Sequence, residues 1–212
     1  MIRIRNLIFD LDGTLIDSSD GVVEAVNYSL KMLGEPAQQA DAIKKFIGFP
    51  LSQMYPVFTD APLDQLYHHF QVKAAETVIA STFLLPGVET VLGTLRARGF
   101  RMAIATTKIK EHVAGIIAKF GWEGYFDATV GGNEVPKVKP DPAAFRLALK
   151  RLGADADDSL VIGDTINDIL AAQAVPMKVA AVRSPFGDGA EVEAARPDHL
   201  LESIEELPQI LS

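Results

Sequence analysis

Cysteine is absent from this chain, which excludes disulfides, thiolate nucleophiles and cysteine-ligated metals. Histidine is scarce, at four in 212 residues, and no His-Glu-x-x-His occurs, which argues against a histidine-built zinc site. Lysine and arginine form no block and the formal charge is −8 at pH 7, so a nucleic-acid partner is not expected. Although 48% of residues are hydrophobic, no apolar run approaches the length of a bilayer span, and no membrane partner is expected. The opening "MIRIRNLIFD" has only three consecutive apolar residues before Asp10. That is too few for the core of a secretion signal, so a cytoplasmic location is expected. The length suits one domain, or one domain carrying an insert.

Short apolar runs are present, at Ile4–Phe9, Met102–Ala105, Leu160–Ile162 and Val179–Val182, with a weaker one at Ala128–Val130. Helical patterns separate them. Val88–Arg98 follows Pro86-Gly87 and stops at Gly99, Lys110–Phe120 stops at Gly121, and Pro142–Leu152 stops at Gly153. The alternation predicts an α/β fold with a Rossmann-like parallel sheet and helices on both faces. The stretch from about Asp20 to Ala80 breaks the rhythm. It reads as helices over Asp20–Leu33, Leu51–Phe58 and Leu63–Ala80, with Leu66, Phe70 and Ala74 as a packed stripe. His68 and His69 on that last helix read as surface or packing. The predicted organisation is an α/β core over residues 1–16 and 84–212, with an inserted all-helical segment over 17–83. Ile16–Ser19 and Phe83–Gly87 are the expected hinges.

The chemistry gathers at strand ends. Asp10 closes the first run, in "NLIFDLDGTLIDSSD"; Thr106 closes "MAIATTK"; and Asp164 closes the run in "VIGDTIND". In open α/β sheets the carboxyl ends of strands line the ligand crevice. Asp10, Asp12, Thr106, Thr107, Asp164 and Asp168 therefore share one edge, with the turn at Leu11–Gly13 bringing Asp12 round. Several carboxylates in one cleft repel one another unless a cation lies among them. Oxygen-only ligands suit Mg²⁺ with waters and a substrate phosphate. Lys108 and the lysines of "PKVKPDP" add positive charge, and the set suits phosphoryl transfer.

These motifs resemble the haloacid dehalogenase superfamily, in its phosphatase branch with a helical cap after the first strand. "DLDGT" resembles its first motif, "IATT" its second, "KPDP" its third and "GDTIND" its fourth, all in order. By composition, Asp-x-Asp-Gly-Thr arises by chance in a chain of this size on the order of a few times per thousand. The resemblance implies that Asp10 attacks phosphorus and forms an aspartyl-phosphate. It implies that Asp12 protonates the leaving alcohol and later accepts a proton from water. Asp10, the Asp12 backbone carbonyl and Asp164 would hold Mg²⁺, with Asp168 supporting them. Thr106 would bond a phosphoryl oxygen and Lys139 would neutralise charge. Dehalogenases of the superfamily lack an aspartate at the place of Asp12, so phosphoester chemistry is favoured.

Some positions stay open. Thr107 stands where phosphoglycolate phosphatase relatives often have asparagine, and with Lys108 it is a substrate-binding candidate. Lys139 is preferred over Lys137 because it directly precedes Pro140-Asp141-Pro142. Acids such as Asp164 and Asp168 also suit a helix N-terminus, and Thr106 suits a strand-end capping role. In "KKFIGFP", Lys44, Lys45, Gly48 and Pro50 read either as a solvated helix end and loop or as a specificity loop, with Lys45 and Gly48 as substrate-binding candidates. The expected activity is a Mg²⁺-dependent phosphatase for a small phosphorylated metabolite, phosphoglycolate phosphatase-like. A pyrophosphatase or a β-phosphoglucomutase-like mutase of the same superfamily is the alternative, and a non-catalytic phosphate-binding protein is a third. The mutases carry a histidine early in the first cap helix, and Asp20–Leu33 has none. Monomer and homodimer are both open.

Overall fold

The computed structural model describes residues 4–186 and 188–211. In chain order the strands are β1 (Asn6–Phe9), β2 (Ile16–Asp17), β3 (Phe83–Leu84), β4 (Arg101–Ala105), β5 (Ala128–Val130), β6 (Ser159–Gly163), β7 (Lys178–Val182) and β8 (His199–Leu201). The helices are α1 (Ser19–Met32), α2 (Ala40–Lys44), α3 (Leu51–Phe58), α4 (Leu63–Ser81), α5 (Val88–Ala97), α6 (Lys110–Phe120), α7 (Ala143–Leu152), α8 (Ile166–Gln173), α9 (Gly189–Ala194) and α10 (Leu207–Ile210).

Six strands form one parallel sheet in the order β5-β4-β1-β6-β7-β8. The α/β architecture is the one expected from the apolar runs. Side chains alternate across the sheet with period two. Leu7, Phe9, Met102, Ile104, Leu160 and Ile162 meet α5, α6 and α10 on one face. Ile8, Ala103, Ala105, Val161, Val179 and Ala181 meet α7, α8 and α9 on the other. Burying each large strand side chain contributes roughly 1.5–3 kcal/mol. The chain leaves β1 for β4 and β5 on one side, then crosses to β6, β7 and β8 on the other. The switch point is β1 itself, and the crevice opens at its carboxyl end.

The structure adds to the sequence reading in several places, the short helices α9 and α10 among them. The β1 ladder starts at Asn6 rather than Ile4. The short strand β8 and the helix α2 were not expected. A short two-stranded ribbon, not expected from the sequence, lies within the two proposed hinge segments. Ile16 pairs Leu84 and Asp17 pairs Phe83, antiparallel, so the two chain crossings between sheet and helices run side by side.

Helices α1 to α4 pack around Val26, Leu30, Ile43, Met54, Tyr55 and Leu66, a cluster separate from the two flanking the sheet. Gly21 lets α1 approach α4: a Cβ there would meet the Ser81 Oγ at 2.4 Å and the Thr77 carbonyl at 2.8 Å. The layer is fastened to the sheet unit through α6. Lys119 donates to the Ile79, Ala80 and Thr82 carbonyls at 2.8, 2.8 and 2.7 Å. These carbonyls lie at the end of α4, where helix carbonyls lose intrahelical partners and a cation also complements the helix dipole.

Candidate active site

Three strand ends and one loop build the site. The chain turns sharply after β1, and Gly13 has φ +82°, a value glycine adopts freely. A Cβ on Gly13 would lie 2.0 Å from Asp164 Oδ2, so the turn also needs a residue without a side chain. Asp10, Asp12, Asp164, Asp168 and Lys139 are all at most 4% exposed. Such burial of charge is expensive unless partners or a cation offset it.

Lys139 supplies part of that offset. Its Nζ donates to Asp10 Oδ1 at 2.6 Å and to Asp168 Oδ1 at 2.5 Å. Asp168 divides its two oxygens between tasks. Oδ2 accepts from the Thr165 N–H at 3.1 Å and the Thr165 hydroxyl at 2.8 Å, which caps α8. The helix-start reading of Asp168 is the one that these Oδ2 contacts describe. Asp164 accepts from the Thr14 hydroxyl at 3.0 Å, while its Oδ2 is buried with no hydrogen-bond partner among the described residues.

The electrostatics follow from this crowding. Burial pushes the Asp10 carboxyl up to about 7; Lys139 pulls it back, while Asp168 and Asp12 add to the rise. Burial, then the charges of Asp10 and Asp168, hold Asp164 well above the usual carboxylate range. Burial works against the charge on Lys139, but Asp10 and Asp168 together outweigh it and raise its pKa. Asp10, Asp164 and Asp168 each offer an oxygen within 4.8 Å of the others. One lysine among these carboxylates, with an unpartnered buried oxygen on Asp164, leaves a surplus of negative charge that suits a divalent cation. Oxygen-only donors of this kind suit a hard divalent ion.

Asp12 turns its side chain elsewhere. Its two oxygens accept from Lys108 Nζ at 2.9 and 2.8 Å, and Oδ1 also accepts from Ser18 Oγ at 2.5 Å. Thr106 is buried at the end of β4, and its Oγ1 accepts from the Lys108 N–H at 3.2 Å, leaving the hydroxyl proton free to donate. Thr107, Lys108 and Gly48 line a cavity of about 350 Å³ beside Asp12. Gly48, at φ +84°, packs toward Thr165 so closely that a Cβ would sit 2.9 Å from its methyl. Lys45 is exposed and outside that lining, and Lys44 pairs with Asp20 at 2.9 Å. Lys137 is exposed in the loop.

Sequence reasoning passed over several of these neighbours. Thr14 lies inside "DLDGT" but was given no task. Ser18 follows Asp12 by six residues across the turn, beyond any local pattern. His112, four residues after Lys108, is buried in the cavity wall; burial and then the Lys108 charge hold its pKa below the ordinary value. Phe70 belongs to the expected packed stripe, yet it also lines the cavity.

The chain matches the family described as haloacid dehalogenase-like hydrolase over residues 7–182. It belongs to that family. This haloacid dehalogenase-like hydrolase is 31% identical over 216 residues to a plasmid-encoded phosphoglycolate phosphatase of Cupriavidus necator, covering 97% of this chain and 92% of the relative. It is 32% identical over 210 residues to a phosphoglycolate phosphatase of Pectobacterium atrosepticum, covering 95% and 90%. Among solved structures it resembles a haloacid dehalogenase-like family hydrolase of Streptococcus pneumoniae, with TM-score 0.91 and 26% identity over the whole of both chains. The family assignment agrees with the order of the four motifs, and the two curated relatives named above are phosphatases. No helix among the described residues is long and apolar enough to cross a membrane.

Proposed function

We propose that this chain is a Mg²⁺-dependent phosphatase that hydrolyses a small phosphate monoester through an aspartyl-phosphate. The observation that carries the reading is the buried trio Asp10, Asp164 and Asp168 with Lys139 bonded to two of them. The ion would be held by Asp10, the Asp12 backbone carbonyl and Asp164, with Asp168 in support. When bound, it supplies positive charge that offsets the phosphoryl oxygens and the carboxylates. Asp10 attacks phosphorus, forming its O–P bond as the ester P–O bond breaks. Lys139 neutralises Asp10 and the phosphoryl group, and Thr106 donates its hydroxyl proton to a phosphoryl oxygen. Asp12 gives a proton to the departing alkoxide, then takes one from the water that attacks the aspartyl-phosphate and frees Asp10. Ser18 and Lys108 hold the Asp12 carboxylate in place. In this reading residues 17–83 act as a cap that excludes water from a core of residues 1–16 and 84–212. Lys108 and Thr107, with Gly48 from the cap, border the bound substrate.

The pyrophosphatase alternative has less support, because a second phosphate needs cations that the cavity lining does not offer beyond Lys108. The mutase alternative lacks its histidine in α1. The test is phosphate release from p-nitrophenyl phosphate with and without Mg²⁺. Activity appears with Mg²⁺, falls with Ca²⁺ and vanishes in chelator. Full activity in excess chelator ends the metal reading.

A further inference from the structure

We infer that the natural substrate is a phosphate monoester whose leaving group carries an aromatic or similarly bulky apolar body, rather than a second anionic group. The inference rests on the phosphatase reading above and assigns the leaving group that the reading leaves open. The cavity beside Asp12 is walled on the side away from the sheet by Phe46, Phe49, Leu51, Met54, Tyr67 and Phe70. Phe46 and Phe49 meet edge to face, with ring centroids 6.3 Å apart. An aromatic guest has ring faces and edges to meet there.

Charge argues the same way. The charged side chains in the cavity lining are Asp12 and Lys108. Lys108 has three N–H donors, and they go to the two Asp12 oxygens and to Ser18, at 2.9, 2.8 and 2.8 Å. Lys139 is bonded to Asp10 and Asp168, and Lys45 lies outside the lining. A carboxylate on the leaving group would meet only uncharged donors such as Ser52 and Gln71 beside the aromatic wall, with no cation to pair with it, which is disfavoured. Size agrees as well. The cavity holds about 350 Å³. An apolar cavity of roughly 150 Å³ is enough to take up benzene. A two-carbon acid would leave much of this space unfilled.

The test compares three alkyl phosphates with Mg²⁺: 2-phenylethyl phosphate, ethyl phosphate and phosphoglycolate. The expected kcat/KM for 2-phenylethyl phosphate exceeds that for each of the others by roughly tenfold to hundredfold. Phe49→Ala lowers the phenylethyl-to-ethyl ratio by about tenfold. Leu51→Lys places a cation in the wall and shifts the phosphoglycolate-to-phenylethyl ratio upward by about tenfold. A wild-type enzyme that treats phenylethyl and ethyl phosphate alike, or that prefers phosphoglycolate, overturns the inference while leaving the phosphatase reading intact. Release of phosphate from none of the esters removes the phosphatase reading instead. In that case calorimetric binding of 2-phenylethylphosphonate and ethylphosphonate decides the cavity on its own. Tighter binding of the phenyl compound by about tenfold supports the aromatic assignment, and equal binding overturns it.

Discussion

At the carboxyl ends of β1 and β6, Asp10, Asp12, Asp164, Asp168 and the incoming Lys139 crowd into a space that solvent hardly reaches. Across the cavity, α3, α4 and the loop between α2 and α3 present phenylalanine, tyrosine, leucine and methionine. The two walls obey opposite physics. The sheet wall works against folding, since like charges are held together in low dielectric. The helical wall favours folding, since its side chains also pack into the α1–α4 cluster, as Met54 and Phe70 do. A wall that opposes folding persists because of the chemistry placed on it, and in our proposal it sets the reaction. A wall that favours folding is free to vary in shape, and it sets the leaving group.

The largest effect expected breaks the sheet wall. Asp10→Asn removes the nucleophile, because an amide does not attack phosphorus at a useful rate. Turnover should fall by roughly 10⁴-fold or more, with the ligand preferences of the helical wall kept. The readout is steady-state phosphate release beside phosphonate binding. An Asp10→Asn enzyme near the wild-type rate would falsify the covalent route.

Asp12→Asn sharpens the comparison within the same wall. Phosphoenzyme formation from an alkyl phosphate should slow by about 10²–10⁴-fold, and from p-nitrophenyl phosphate clearly less, because a phenolate leaves without a proton. Single-turnover kinetics on both esters measures the two losses. Equal losses would assign Asp12 to shaping the turn rather than moving protons.

Lys139→Met tests the balance of charge directly. It leaves Asp10, Asp164 and Asp168 without their buried cation, and the metal-free protein should lose about 3–5 kcal/mol of stability. Mg²⁺ should then raise the Tm of the variant more than that of the wild type, because the ion replaces the missing charge. A variant as stable as wild type without metal would show that Lys139 is not offsetting the carboxylates.

The smallest effect belongs to the cluster behind the helical wall and is read by pH. Burial raises the Tyr55 pKa to about 12, partly offset by its hydrogen bond with Ser29. An unfolded tyrosine titrates near 10. Below pH 10 both states are protonated and the contribution is fully present. Between about pH 10 and 12 the unfolded chain ionises first, and stability falls by about 2–3 kcal/mol. Urea unfolding of wild type and Tyr55→Phe across that range isolates the term. Parallel slopes for the two proteins would rule it out.

Most of the sheet and its chemistry is legible in the residues. Leu7-Ile8-Phe9 and Leu160–Ile162 are apolar on both sides, as strands covered on two faces must be. Gly121 and Gly153 end α6 and α7 in the left-handed conformation, so the stops are local events. Asp10 and Asp164 follow such runs directly, and their place at the crevice comes from strand direction alone. The ribbon of β2 and β3 is not legible, because two-residue strands have no period to detect. Strand β8 is short and half exposed, so it shows no apolar run.

The sequence by itself therefore determined the parallel sheet, the helical interruption after β1 and the carboxylates at one edge. Each of these depends on residues adjacent in the chain or on a repeating period. The motif resemblance singled out Lys139, while tertiary structure decided which hydroxyls reach those carboxylates, that Lys108 joins Asp12 and what faces them. Lys139 reaches Asp10 across 129 positions and Lys108 reaches Asp12 across 96. Lys45, an equal candidate in the chain, is turned to solvent. Phe70 has the spacing of a core residue and packs against the α1–α4 cluster, yet it is only partly buried and also lines the cavity. Periodicity records that a side chain avoids water. It does not record whether the neighbour that replaces water is another part of the chain or the space beside Asp12, because that depends on how the layers stack.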